Sequence, residues 1–244
     1  MAWTSARMPE PGFLARLGRY EFALLGSLCA IAAILLLFGL VTEEALEGDA
    51  AAFDRGILLA LRNPADPADP IGPAWLERAA ADITALGGVP VLALVTLVAT
   101  GFLLIIRRRA IALLVLLSAA GGTAVSFGLK LFFSRVRPDL VPHQVDVFTS
   151  SFPSSHAMMS AMIYLTLGAL LARVQKQRRI KAYIMMVSVL LAVLIGSSRV
   201  YLGVHWPTDV LAGWMVGSAW AMLCGTVAWW LHRRGHDVAG PAHD

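Results

Sequence analysis

Residues 22–41 read FALLGSLCAIAAILLLFGLV, twenty positions without a charge. A helix of that length rises about 30 Å at ~1.5 Å per residue, which is the thickness of a bilayer's hydrocarbon core. No short apolar region with a small-residue cleavage site precedes it, so the stretch is read as a retained anchor and not as a signal peptide. Five further apolar stretches follow, over 83–106, 110–133, 156–171, 180–196 and 210–231. The fourth and fifth of the six are short, which a membrane protein tolerates where helix ends meet protein or a polar cavity. Of the 244 residues 58% are apolar and 15% charged, against about a quarter charged in a soluble domain. The expected fold class is therefore an all-α membrane protein, a six-helix bundle forming one domain over residues 1–244. Disorder, a disulfide scaffold and a collagen-like fibre are excluded. The two cysteines, Cys29 and Cys224, lie in apolar runs and read as packing residues.

The charges assign the faces. Arg7, Arg16 and Arg19 precede the first span, Arg107, Arg108 and Arg109 follow the second, Arg173, Lys176, Arg178, Arg179 and Lys181 separate the fourth from the fifth, and Arg233 and Arg234 follow the sixth. These thirteen of the twenty Lys and Arg fall on one side of a six-span chain, and twelve of the sixteen acids fall on the other. By the positive-inside rule the basic side is cytoplasmic and holds both termini. The formal charge of +4 is thus a matter of topology, and no nucleic-acid partner is expected. Residues 42–80, with RNPADPADPIGP, are proline-rich and polar and read as an outer loop. Within it, Ala50 to Leu61 has the pattern of an amphipathic helix lying on the membrane. No internal repeat of the transporter kind is visible.

Ionisable residues close to spans are costly and mark function. Lys130 lies near the outer end of the third span, where a lysine can also simply snorkel, and Arg137-Pro138 begins the loop beyond it. Pro153, Ser154 and Ser155 read as a helix start that puts His156 in the first turn of the fourth span. A helix N-terminus presents unpaired N–H groups and the positive end of a dipole, so it suits an anion as well as a plain cap. Arg199 stands just outside the fifth span, and His205 and Asp209 open the sixth with the spacing of one helix face. Such a carboxylate can make a structural hydrogen bond, or hold one imidazole nitrogen and leave the other nucleophilic. All three clusters fall at outer ends of spans. Together they can form a cationic cage with two imidazoles, matched to a phosphate group.

In order and spacing, Lys130-x6-Arg137-Pro138, Pro153-Ser154-Ser155-His156 and Ser198-Arg199-x5-His205-x3-Asp209 resemble the three motifs of the type 2 phosphatidic acid phosphatase superfamily. That family includes membrane lipid phosphatases, class A acid phosphatases and vanadium haloperoxidases. The resemblance implies that His205 attacks phosphorus to form a phosphohistidine and that Asp209 orients it. It implies that His156 protonates the leaving oxygen and later activates water. Lys130, Arg137, Arg199, Ser154 and backbone N–H groups near Ser155 would hold the phosphoryl oxygens, with no metal and no cofactor. The family usually has glycine where Ser155 stands. The expected function is hydrolysis of a membrane lipid phosphate, such as phosphatidate, phosphatidylglycerophosphate or undecaprenyl diphosphate, at the outer face of a bacterial cytoplasmic membrane. A phosphotransferase using the same intermediate, or a non-enzymatic lipid-binding or transport relative, is the alternative. Asp82, Thr84 and Gly87-Gly88 are read as bordering a lipid entrance or as a close-packed polar helix end.

Overall fold

Apolar side chains that would be a defect in water cover the outside of this protein: Leu36, Leu97, Val98, Phe102 and Leu117 are all exposed, as a lipid-facing surface requires. The computed structural model describes residues 19–139 and 150–238. Arg7 and Arg16 lie outside these residues, as do the side chains of Arg19, Arg233 and Arg234. The elements are α1 (Arg19–Glu47), α2 (Ala51–Ala60), β1 (Arg62–Asn63), β2 (Asp66–Pro70), α3 (Ala74–Ala85), α4 (Val89–Ile105), α5 (Arg109–Phe132), α6 (Ser155–Val174), α7 (Arg178–Tyr201) and α8 (Pro207–Val238). Five helices, α1 and α5 to α8, are long and apolar enough to cross a membrane. Among the described residues, a sixth crossing is available as a pair, α3 with α4, bent by 48°.

Three expectations need correction. The second span is not one straight helix from 83 to 106, because Gly87 and Gly88 break it between α3 and α4. The fourth and fifth are not short. They run for 20 and 24 residues, since α7 continues through Ser197, Ser198 and Arg199, polar residues that end an apolar stretch without ending a helix. Residues 42–80 are not a plain loop. They hold the last turn of α1, then α2, an antiparallel hairpin with Arg62 opposite Pro70, and the first half of α3. The expected amphipathic helix is α2, but its Asp54 is buried and turned into the protein.

In the membrane, small residues let helices approach where no hydrophobic force drives them together. Gly213 and Gly217 of α8 face Ala157 and Ala161 of α6. A β-carbon at Gly213 would come 2.8 Å from the carbonyl oxygen of Ser154, and one at Gly217 would come 2.6 Å from that of Met158. Beyond this seam Met158, Met162 and Val216 form a core with Trp220. Some hydroxyls inside the spans return to the carbonyl one turn back, as Thr96 does to Leu92 and Ser188 to Ile184, which spares those two an unpaired burial.

The α6–α8 seam fixes one end of the bundle. There the N-termini of α6 and α8 lie with the C-termini of α5 and α7. The α4–α5 and α6–α7 junctions, which carry Arg107, Arg108, Arg109, Lys176 and Arg178, lie at the other end. Segments 133–138 and 150–154 are zipped by the Ser151 N–H donating to the Arg135 carbonyl at 2.9 Å. Phe133, Phe152 and Phe38 of α1 pack their rings beneath them. Leu131, Phe132, Val136 and Val89 form an exposed apolar rim at this end.

Candidate active site

His205 precedes α8 in a tight turn closed by Gly203, whose φ of +73° suits glycine. Asp209, in the first turn of α8, places Oδ2 at 3.2 Å from His205 Nδ1 and at 3.0 Å from the Trp206 N–H. A carboxylate oxygen accepts, so Nδ1 carries the proton and Nε2 is unprotonated. Arg137 Nη1 lies 3.2 Å from that Nε2 and donates to the Val204 carbonyl at 2.9 Å. His205 is 2% exposed and Asp209 wholly buried. Burial lowers the His205 pKa to about 4, although the hydrogen bond and charge of Asp209 pull it upward. The imidazole is therefore neutral at pH 7. Burial also lowers the pKa of the Arg137 guanidinium, against the attraction of Asp209.

The other residues expected at the site come to the same end of the bundle. Lys130, in the last turn of α5, donates from Nζ to the Ser150 carbonyl at 2.7 Å and lies within electrostatic range of Arg137, Asp209 and Arg199. His156, in the first turn of α6, is within range of Arg199, His205, Lys130 and Arg137. Arg199, in the last turn of α7, donates from Nη1 to Thr84 Oγ1 at 3.2 Å. Ser154 is the N-cap of α6, but its side chain makes no capping bond. Ser154 Oγ and Arg199 Nε are buried with no hydrogen-bond partner among the described residues. Ser155, at the first position of α6, shares a hydrogen bond of 3.1 Å with Ser126 Oγ of α5, and it is not among the residues of positive φ. Gly87 packs against the His156 ring, where a β-carbon would lie 3.4 Å from Cδ2. The break in the α3–α4 pair thus abuts this end of α6. Among the described residues, Asp82 makes no hydrogen bond or ion pair to the cage.

Sequence reasoning missed two residues. Arg135 reaches Asp209 Oδ1 with Nη1 at 2.5 Å and Asp54 Oδ2 with Nη2 at 2.8 Å. Asp54 of α2 in turn accepts from the Thr208 N–H at 2.9 Å and from the Thr208 hydroxyl at 2.6 Å. Arg135 stands two places before Arg137 in the same motif, a signal that could have raised it. Nothing local connects Asp54 to a partner 81 residues away.

The profile of the PAP2 superfamily matches residues 110–233. The chain is 35% identical over 145 residues to phosphatidylglycerophosphatase B of Bacillus subtilis (strain 168), covering 59% of this chain and 70% of that one. It is 31% identical over 128 residues to an undecaprenyl-diphosphatase of Sulfolobus acidocaldarius, covering 49% of this chain and 56% of that one. The fold is similar to the crystal structure of a transmembrane PAP2-type phosphatidylglycerolphosphate phosphatase from Bacillus subtilis, with a TM-score of 0.69 at 27% identity, over 88% of this chain and 98% of that chain. It is also similar to Aquifex aeolicus LpxE, with a TM-score of 0.51 at 26% identity, over 73% and 96%.

Proposed function

The chain belongs to the PAP2 superfamily, and from that premise we propose that it hydrolyses the phosphate of a membrane lipid through a phosphohistidine. The lipid classes are those in its relatives' names, phosphatidylglycerophosphate and undecaprenyl diphosphate, with phosphatidate beside them. His205 Nε2 attacks phosphorus and the bond to the lipid oxygen breaks. His156 gives that oxygen its proton, then takes one from the water that attacks the phosphohistidine and releases phosphate. Asp209 holds Nδ1–H and stabilises the imidazole as positive charge develops on it. Lys130, Arg137 and Arg199, with the Ser154 hydroxyl and N–H groups at the start of α6, take up the charge on the equatorial oxygens. Such preorganised donors supply much of the catalysis in phosphoryl transfer. No metal enters these steps. We read the whole chain as one such domain, with six crossings, both termini cytoplasmic and the site at the outer face, because the basic residues gather at the opposite end.

The observation that carries the reading is the cage itself. Cations and a second imidazole gather around a histidine whose Nε2 is unprotonated and accepts only from Arg137, a group that can turn to a phosphoryl oxygen, while among the described residues Ser154 Oγ and Arg199 Nε are buried with no hydrogen-bond partner. Buried polar groups are rarely left so, and a phosphoryl group fits both.

Leaving-group dependence tests it, with phosphate release measured in EDTA. His205→Ala abolishes hydrolysis of every substrate. His156→Ala loses roughly 10²-fold more activity on phosphatidate than on p-nitrophenyl phosphate, whose anion departs without a proton. Activity retained by His205→Ala on the activated ester, with His156→Ala dead on both, reverses the roles. Appearance of the phosphate on a lipid hydroxyl in place of free phosphate makes the protein a phosphotransferase.

A further inference from the structure

Behind the attacking histidine lies a buried circuit of charges that the proposed steps do not use. We propose that Arg135, anchored by Asp54 of α2, is a positioning residue that fixes the orientation of Asp209 and thereby presents His205 with Nδ1 protonated and Nε2 unprotonated. The proposal rests on the reading of His205 as the nucleophile.

The two oxygens of Asp209 are divided between two tasks. Oδ2 serves His205 and the Trp206 N–H, whereas Oδ1 is taken by Arg135. With Oδ1 pinned, the carboxylate cannot rotate, and the only oxygen facing the imidazole is the one that accepts from Nδ1. Arg135 is held in turn. One arm bonds Thr208 Oγ1 at 2.8 Å as well as Asp209, the other bonds Asp54, and the guanidinium carbon lies 5.9 Å over the Trp206 ring. Asp54 and Asp209 are 1% and 0% exposed, so neither carboxylate finds a water-filled alternative.

Asp54 does a second thing. The residue that caps α8, Trp206, has no side-chain acceptor, yet the first turn of a helix needs acceptors for its N–H groups. Asp54 accepts the Thr208 N–H from another element, and the Asp209 side chain accepts that of Trp206. The helix start that carries Asp209 is thus set by α2 and the 133–138 segment jointly. Lysine at position 135 would keep the charge but could not span two carboxylates on opposite sides, which takes the guanidinium fork.

The charge has its own effect. His205 and Asp209 face Arg137, Lys130 of α5, His156 of α6, Arg199 of α7 and Asp54 of α2 together with Arg135. With the others in place, loss of the Arg135 cation leaves Asp209 to attract a proton onto His205 more strongly. His205 then becomes protonated at a higher pH, and the neutral nucleophile is lost sooner on acidification.

The test uses the full chain in detergent. Steady-state kinetics on a lipid phosphate and on p-nitrophenyl phosphate are measured for wild type, Arg135→Lys, Arg135→Gln, Asp54→Asn and His205→Ala. The imidazole 15N shifts of His205, assigned by their loss in His205→Gln, are followed against pH. Expected are kcat losses of roughly 10–100-fold for Arg135→Lys and Asp54→Asn with KM within about threefold. Arg135→Gln raises the His205 midpoint by on the order of one pH unit, whereas Arg135→Lys leaves it in place. Should Arg135→Gln not fold, the near-isosteric Asp54→Asn and the charge-conserving Arg135→Lys still decide by kcat per folded molecule. Wild-type kcat and an unmoved midpoint in folded variants overturn the positioning role, even where thermal stability drops. Activity in His205→Ala overturns the nucleophile assignment itself.

Discussion

Substitution of Gly217 by alanine tests whether the α6–α8 seam sets the distance between the two histidines. The added β-carbon would lie 2.6 Å from the Met158 carbonyl oxygen and 2.7 Å from the Ala161 β-carbon. Neither is the end of a flexible side chain. A relaxed carbon–oxygen contact is about 3.4 Å, so α6 and α8 must part there by roughly 0.8 Å. His156 is two residues from Met158 on the same helix and moves with it, while His205 is tied to the start of α8, about 15 Å along the axis from Gly217. A displacement near 1 Å at a reacting centre costs roughly 10²-fold in rate, and overpacking of this kind costs about 1–3 kcal/mol in stability. The assay is kcat/KM for phosphate release from a lipid phosphate, beside thermal unfolding in the same detergent. Gly39→Ala on α1, where a β-carbon meets no atom within 4 Å, is the control and should stay within about 0.5 kcal/mol of wild type. Adding Ala161→Gly to Gly217→Ala relieves one clash but not the carbonyl, so recovery is partial. A folded Gly217→Ala protein with kcat/KM within about threefold of wild type refutes the reasoning.

Ser155→Gly removes the bond to Ser126 Oγ and loosens the first turn of α6, at a stability cost of about 1–2 kcal/mol, with kcat/KM within about threefold. A loss beyond tenfold, about 1.4 kcal/mol in the barrier, shows that the hydroxyl acts on the substrate. Because the His205 pKa is lowered from 6.5 to about 4 in the fold, the unfolded chain takes up a proton in that window that the folded one refuses. The contribution is fully present above pH 6.5 and is lost as pH falls through about 4, with a slope of up to ~1.4 kcal/mol per unit; thermal midpoints against pH should fall more steeply for wild type than for His205→Gln. In a background without Cys29 and Cys224, cysteine at Ala68 in β2 reacts with an impermeant maleimide in intact cells and cysteine at Gln177 does not. The reverse pattern places the site in the cytoplasm.

What could be read from the sequence was what local spacing encodes. The apolar helices follow from hydropathy, and the contact of His205 with Asp209 follows from four-residue spacing at a helix start. Lys130, Arg137, His156 and Arg199 were placed at one end of the bundle because each sits at the end of a span. The extent of α7 was not legible, since hydropathy takes Ser197 to Arg199 for a boundary and the helix carries them on into the cage. The order within 42–80 was hidden for a related reason. Its polar and proline-rich composition reads as loop, and what organises α2 is a buried bond from Asp54 to Arg135 and Thr208, groups distant in sequence that no periodicity connects. The kink at Gly87 likewise depends on the approach of Ile195 and His156 from other helices.

The apolar rim of Leu131, Phe132, Val136 and Val89 around the helix ends makes the proposed reaction two-dimensional. A lipid held there keeps its tails among neighbouring lipids and offers only its headgroup to the cage. The quantity that sets the rate is then the mole fraction of substrate in the membrane, not its concentration in the vial. Diluting mixed micelles with more detergent at constant total substrate should slow turnover, and diluting them with buffer should not. The two products also part in different directions and in order, the lipid alcohol sideways into the bilayer first and phosphate into water after the phosphohistidine is hydrolysed.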